Sequence, residues 1–463
     1  MRELPFSPRS VAQGLAGSCR YNAREGGKWR TPSEGGMLSQ PSKLNWQCDT
    51  GAGAVVWNAS GMRICLVYDC LYPHTVGGAE RWYRDLAERL ADKGHDVTYL
   101  TLRQWDRGEH PTIDARVRVV IAGPRMALYT DSGRRRILPP LAFGLGVFAH
   151  LLRNGRRYDV VHTCAFPYFS LLAAAPLRKP MGFGLVVDWF EVWSRSYWRD
   201  YLGALGGRIG ELVQRGCARV PQRAFCFSEL HARRLREEHL NGPVTVLRGL
   251  YAGSPEPAAP QAAKPVVLFA ARLIPEKQVT LAVAALALAA RRIEGLRGEF
   301  LGQGPEREAL DAAIVEHGLE GTLTARGFTE TETVEAEMRR AMCMLVTSRR
   351  EGYGLVVVEA AARATPSVVV AGDDNAATEL IEEGINGTVA PRSDPEAVAE
   401  AIVRVHEAGI ALRESTARWF AENAGWLSLE SSLRTVLDVY GASGTSGGST
   451  TANAPLGNPS ARA

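Results

Sequence analysis

Ser348-Arg349-Arg350-Glu351-Gly352-Tyr353-Gly354-Leu355-Val356-Val357-Val358-Glu359-Ala360 sets two carboxylates around a glycine-bounded turn that opens an apolar helix. Glu351 ends a loop, and Glu359 falls one or two turns into the helix that follows Gly354. Helical side chains tilt toward the N-terminus, so Glu359 leans back toward the Glu351 end. Gly352 and Gly354 let a ligand approach the backbone, and the exposed N–H groups of Gly354, Leu355 and Val356 suit an anion. Glu359 also interrupts the apolar run Leu355 to Ala362, where a carboxylate calls for a partner or a ligand. One carboxylate for a polyol, an anion site in the middle and a second carboxylate for a diol match the layout of a nucleotide sugar.

Outward from this segment, short apolar strands alternate with amphipathic helices. Strands are expected at Ile64 to Tyr68, Asp96 to Leu100, Val117 to Ile121, Asp159 to His162, Gly184 to Val187 and Ala224 to Phe227, with a helix at Gly78 to Lys93. The proline- and alanine-rich stretch 252–264 reads as a linker. A second series starts at Pro265 to Ala270 and continues through helices at Thr280 to Arg292 and Glu306 to His317 and strands at Glu299 to Leu301, Met342 to Val346 and Ser367 to Val370. A helix starting near Ala376 closes it. The reading is α/β: two doubly wound domains, 62–251 and 265–410, facing a cleft. Residues 1–61 lack periodicity and a secretory pattern, and Met62 stands directly before the first strand. They are expected to be a disordered extension, arising from a start codon placed too far upstream. The low-complexity tail 441–463 is expected to be disordered as well.

The chain has 463 residues, 46% hydrophobic and 22% charged, ordinary for a soluble enzyme of two domains. Its eight cysteines show no Cys-x-x-Cys spacing, which argues against a disulfide framework or zinc site and for a reducing cytoplasm. No stretch reaches the 18 apolar residues of a spanning helix. The nearest, Ile137 to Leu152, contains Pro139, Pro140 and His150 and is expected to be a buried helix of the first domain. Net charge is only +4, yet arginines cluster at 134–136, at 153 with 156 and 157, and at 233, 234 and 236. Solvated faces are one reading; a basic face for peripheral contact with anionic lipid at the inner membrane surface is the other. No nucleic-acid partner is expected.

The spacing Glu351–seven residues–Glu359 resembles the signature of the family 4 (group 1) retaining glycosyltransferases of the GT-B class, and the resemblance runs from about residue 62 to 440. It implies two Rossmann-like domains, with the segment 411–440, which carries Trp419, Phe420 and Trp426, packing back onto the first. Arg272 and Lys277, in Ala271-Arg-Leu-Ile-Pro-Glu-Lys277, resemble the family's pair that neutralises the donor pyrophosphate, and charged hydrogen bonds to phosphate are strong. Gly77 and Gly78 sit between the first strand and its helix, in a loop that lies against the donor diphosphate in the family. Gly302-Gln303-Gly304-Pro305 and Arg326-Gly327-Phe328 resemble family loops near the nucleotide, the former also readable as a structural turn. Asp188 stands where a histidine is more common; it is read as a catalytic candidate that orients the acceptor or touches the donor sugar, or else as a helix cap. His162 reads as a core histidine. Cys164, Arg248 and Ala364 depart from the family pattern of His, Asn and Gly, which leaves the acceptor unidentified.

The expected reaction is retaining transfer of a sugar from a nucleoside-diphosphate sugar to a glycan, lipid-linked or small-molecule hydroxyl. The absence of an Asp-x-Asp pattern implies no metal, and no further cofactor is expected. Glu351 would hold donor-sugar hydroxyls, Glu359 the ribose diol, and Arg272 with Lys277 the leaving phosphate. Two rivals stay open: a sugar-nucleotide epimerase, which needs no acceptor, and a non-catalytic module of the same fold that partners another transferase.

Overall fold

Strand alternation sorts the first half of the chain into two helical layers around one sheet. The computed structural model describes residues 61–444, except 107, 129 and 131–134. Strands β1 (Arg63–Val67), β2 (Asp96–Leu102), β3 (Arg118–Gly123), β4 (Val160–Cys164), β5 (Gly184–Trp189), β6 (Arg223–Cys226) and β7 (Val244–Val246) pair in parallel in the order β3-β2-β1-β4-β5-β6-β7. Parallel strands need crossovers, supplied by α1 (Gly78–Asp92), α2 (Leu138–Asn154), α3 (Phe169–Ala174), α4 (Arg178–Met181), α5 (Arg195–Ala218) and α6 (Glu229–Glu237). Within β1, Ile64 and Leu66 face the layer of α1, with Trp82, Leu86 and Leu90. Cys65 and Val67 face the opposite layer, where α2, α3 and α5 bring Phe143, Leu171 and Trp198. A two-residue period thus gives each strand a separate core on either side.

The second sheet runs β10-β9-β8-β11-β13-β15, again parallel, from β8 (Val266–Ala270), β9 (Arg297–Leu301), β10 (Leu323–Gly327), β11 (Cys343–Val346), β13 (Ser367–Val370) and β15 (Gly387–Ala390). A two-stranded ribbon, β12 (Arg350–Glu351) with β14 (Asp374–Asn375), lies beyond the ends of β11 and β13. The helices are α7 (Val279–Ala289), α8 (Arg307–Glu316), α9 (Thr331–Arg340), α10 (Leu355–Ala362) and α11 (Pro395–Leu427). Strand order reverses between β1 and β4 in the first sheet and between β8 and β11 in the second. Ligands of open α/β sheets bind outside the carboxyl ends of strands at such reversals.

Tyr251 and Ser428 mark the two passages between the domains and lie side by side. Tyr251 N–H donates to Leu427 O at 3.0 Å, and Leu429 N–H to Tyr251 O at 2.9 Å. A Cβ at Gly249 would fall 2.1 Å from Ser428 O, so this approach requires glycine. The chain then enters α12 (Leu429–Gly444), whose Leu433, Val436 and Tyr440 are buried against the first domain.

Several expectations need correction. The segment expected at 411–440 is not one unit: α11 begins at Pro395, breaks at Gly409 (φ 57°) and ends before Ser428, and α12 follows. Residues 441–444, assigned to a disordered tail, continue α12, whereas the remainder of that tail and residues 1–60 lie outside the described residues. The helix expected near Ala376 is a single 3-10 turn, Ala376–Leu380. Arg326 lies in a strand, β10, and pairs there with Glu299 and Glu337, each at 3.1 Å. Helix α2 is not a buried helix. Only one of its faces is covered, and Leu138, Leu141, Leu145 and Leu152 are exposed.

Candidate functional site

Because β8 and β11 are neighbours, the loops that leave their carboxyl ends meet at the strand-order reversal. The loop after β8 carries Arg272 and the 3-10 turn Pro275–Lys277; the loop after β11 carries Ser348 to Gly354. Two backbone-anchored bonds join them: Thr347 Oγ1 donates to Lys277 O at 2.7 Å, and Arg349 N–H to Glu276 O at 2.8 Å. Lys277 Nζ forms an ion pair with Glu351 Oε1, and Ser348 Oγ donates to the same oxygen at 2.8 Å. Both charged side chains are mostly covered, 18% and 16% exposed, so water screens their pairing only partly.

Gly354 begins α10 with φ 96°, and a Cβ there would lie 2.5 Å from the Ala377 Cβ. Glycine is needed for both reasons. The first-turn N–H groups of Leu355 and Val356 have no acceptor within the helix and point back along its axis. Glu359, on the same helix, pairs at 3.2 Å with Arg81 of α1 and so ties the two domains together. Burial pushes its carboxyl upward, and Arg81 and Arg363 pull it back.

Gly302 (φ 145°) and Gly304 (φ 158°) support the Arg272 loop from behind. A Cβ on either would sit 1.8 Å from Ala271 O or 2.1 Å from Leu273 O. Leu273 N–H donates to Gln303 O at 2.9 Å, and Glu306 N–H to Leu273 O at 3.0 Å. Gly304→Ala is therefore expected to push the Arg272 backbone out of place and cost about 1–3 kcal/mol. Chemical denaturation and donor titration of the same sample check it. Unchanged stability and unchanged donor affinity would show that the turn does not support the loop.

On the first-domain side, Gly77 is extended and precedes α1. A Cβ there would meet Glu80 Oε2 at 2.3 Å, because the Glu80 carboxylate curls over the helix start and accepts its own N–H. Burial raises the Glu80 carboxyl, while Arg272 from the second domain and Arg135 draw it down. Glu80 and Arg81 thus belong to the site although the sequence reading stopped at Gly77 and Gly78. The available signal was an acidic residue in the first turn of a helix opened by two glycines. Close by, the carboxyl ends of β2 and β3 border a cavity of about 640 Å³ lined by Arg103, Trp105, Asp106 and Arg125. The His74 ring, from the loop before Gly77, lies 5.2 Å from that of Trp105.

Asp188 is not in this cleft, and the catalytic expectation for it is corrected. Its side chain has no solvent exposure. Oδ2 accepts from Trp82 Nε1 at 2.8 Å, and Oδ1 lies 2.8 Å from His162 Nε2. His162 Nδ1 in turn lies 2.6 Å from the Tyr440 hydroxyl. In the neutral tautomer whose Nε2 donates to Asp188, Nδ1 accepts from Tyr440, whose phenol burial holds well above its ordinary range. The helix-cap alternative is corrected too, since Ser194 caps α5. Asp188 instead locks α12 and α1 to β4 and β5.

A belt of contacts between the domains was missed by sequence reasoning. Arg350 pairs with Glu191 and stacks over the rings of Trp193 (4.7 Å) and Tyr197 (4.5 Å). Tyr197 donates to Glu276 Oε1 at 3.0 Å, and Arg349 pairs with Asp200 at 2.7 Å. Arg234, one of the clustered arginines, turns inward to Asp374. Glu379 accepts the N–H groups of Glu229 and Leu230 at the start of α6, 2.9 and 2.7 Å away.

Two family profiles match this architecture. The one described as Glycosyl transferases group 1 covers residues 255–424, and the one described as Glycosyltransferase Family 4 covers 76–248. Among curated relatives, the alpha-D-kanosaminyltransferase of Streptomyces kanamyceticus is 31% identical over 31% of this chain and 36% of its own length. A GDP-mannose-dependent alpha-(1-6)-phosphatidylinositol monomannoside mannosyltransferase of Mycobacterium tuberculosis is 26% identical over 37% and 46%. The glycogen synthase of Mycobacterium tuberculosis is 29% identical over 66% and 77%. The chain thus spans less than half the length of the first two. Among solved structures, sucrose-phosphate synthase from Thermosynechococcus elongatus has a TM-score of 0.67 at 19% identity, covering 82% of this chain and 98% of that one. Anabaena HepE in complex with UDP has 0.63 at 18%, covering 82% and 100%. At these identities the structures show the fold.

Proposed function

The chain belongs to the group 1 glycosyltransferases of the GT-B class, and from that premise we propose that it moves a sugar from a nucleoside-diphosphate sugar to an acceptor hydroxyl with retention of anomeric configuration. The observation that carries this reading is the meeting of Lys277, Glu351 and Ser348 at the reversal between β8 and β11, beside the open N–H groups of α10. A donor laid there puts its diphosphate on Lys277, Arg272 and the amides of Gly354, Leu355 and Val356. Sugar hydroxyls compete for Glu351. Glu359, with Oε1 fixed by Arg81, offers its second oxygen to the ribose diol.

In the reaction the bond between the anomeric carbon and the phosphate oxygen breaks, and its electron pair stays on the phosphate. The acceptor oxygen bonds the same face of that carbon, and its proton passes to the departing phosphate oxygen. Lys277 and Arg272 offset the charge that builds on this oxygen, the role a divalent ion plays elsewhere. The loop at Gly77 and Gly78 and the belt around Arg350 close the cleft against water, whose attack would waste the donor. The acceptor enters from the first domain, where the cavity beside His74 offers an aromatic ring and two arginines.

Calorimetry with UDP, GDP, ADP and their sugars, each in EDTA and in magnesium, tests the reading. One nucleotide series should bind equally well in both, and the product anomer, read by NMR, should match the donor's. Failure of the whole panel to bind, or an inverted product, would sink it.

A further inference from the structure

Exposed apolar surface is concentrated on one layer of the first domain. Of the seventeen large apolar side chains that are exposed among the described residues, eleven lie on α2 or its leading residue, on α3 or on α5. All three helices cover the same side of the sheet, because their inner faces share the core that contains Phe143, Leu171 and Trp198. On α2 the exposed positions recur at 138, 141, 145, 148 and 152, and on α5, after its break at Gly203, at 205, 209 and 212, with Leu202 exposed just before the break. This is the spacing of a continuous helical stripe, outward on each helix. Leu145, Leu205 and Leu212 are 65%, 75% and 65% exposed, and Leu172 of α3 lies on the same layer. This concentration of exposed apolar side chains on one layer marks a docking surface rather than scattered leucines.

The charge around the patch identifies what it docks on. Between residues 136 and 181 the chain has six basic side chains and a single acid, Asp159, which is paired with Arg63. Arg153 and Arg156 follow the α2 stripe and Lys179 lies in α4, all exposed. On α5 the two acids are both neutralised, Asp200 by Arg349 and Glu211 by Arg195 and Arg215. Apolar ridges edged by exposed basic side chains fit the interface of a bilayer with anionic headgroups: leucines enter the acyl boundary while the guanidinium groups stay among the phosphates. No helix among the described residues is long and apolar enough to cross a membrane, so the contact is one of lying on the surface.

We infer that α2, α3 and α5 form one membrane-docking face that seats the first domain on an anionic lipid bilayer. The test is sedimentation of the full chain with vesicles of phosphatidylcholine alone or with added phosphatidylglycerol. Wild-type protein should partition onto the anionic vesicles at least about tenfold more strongly than onto the neutral ones, and rising salt should weaken it. L145E combined with L205E, and separately R153E combined with R156E, should each reduce that partition about tenfold. Nucleotide binding should stay at the wild-type level, which shows the variants folded and keeps this test independent of the catalytic reading. Absence of wild-type protein from anionic vesicles, or wild-type partition by both double variants, overturns the inference. So does a wild-type dimer in solution that L145E with L205E turns into monomer, because the face would then belong to a second copy of this chain.

Discussion

Lys277→Ala lowers kcat by about 10²–10³-fold, the range expected when one preorganised group is removed from the place where charge develops. In the proposed donor complex Lys277 faces the leaving phosphate from the loop after β8, and in the structure it neutralises Glu351. The substitution therefore acts twice: the phosphate loses its cation, and a mostly covered carboxylate is left to repel it. Glu351→Gln separates the two effects. If Lys277 serves only to pair Glu351, the double variant recovers toward the activity of Glu351→Gln alone. If Lys277 acts on the phosphate, Lys277→Ala remains severely impaired in either background, and the two losses are not additive. Steady-state kinetics on all four proteins, with thermal unfolding as a check on the fold, decides the matter. A kcat for Lys277→Ala within about threefold of wild type, well short of the loss expected for a group of this kind, removes Lys277 from the reaction.

The sequence was most legible where chemistry is local. The spacing from Glu351 to Glu359 is set by one turn and one helix, and Gly354 announces the left-handed residue that joins them. The alternation of strands and helices likewise reported the two sheets, because a parallel strand buried on both faces reads as a short apolar run. Contacts between distant segments were not legible. Arg350 meets Glu191 and Tyr197 more than 150 positions away, and nothing in the residues near Arg350 marks those partners. Helix α2 was misread because its sequence is apolar on both faces. Periodicity cannot tell a helix buried all round from one whose outer face awaits a partner. The turn at Ala376 failed for another reason: Asn375 accepts from Ala377 N–H at 3.0 Å and fixes a 3-10 turn that a helical pattern would also allow.

Asp188→Ala destabilises the protein by about 3–5 kcal/mol, the cost of removing one member of a buried charged network. That is a large part of the 5–15 kcal/mol that holds an ordinary domain folded. It leaves two buried donors without an acceptor, Trp82 Nε1 and His162 Nε2, and loosens Tyr440 and with it the docking of α12. Denaturant unfolding should show the loss directly. Stability alone, however, does not separate a structural aspartate from a catalytic one. Asp188→Asn does, because the pocket can accept a carboxamide. Its oxygen takes the Trp82 bond, and its amino group donates to His162 Nε2. His162 then carries its proton on Nδ1 and donates to the Tyr440 oxygen. Each of the four side chains keeps a hydrogen-bond partner, at the cost of a tautomer change and of the acceptor for the Tyr440 hydroxyl proton, so the expected loss is about 1–3 kcal/mol, below that of Asp188→Ala. Turnover per folded molecule should stay near wild type. A carboxylate that touched substrate would behave in the opposite way: Asp188→Asn would keep stability and lose orders of magnitude in kcat. That outcome would mean the domains rearrange enough during turnover to bring Asp188 out of the core.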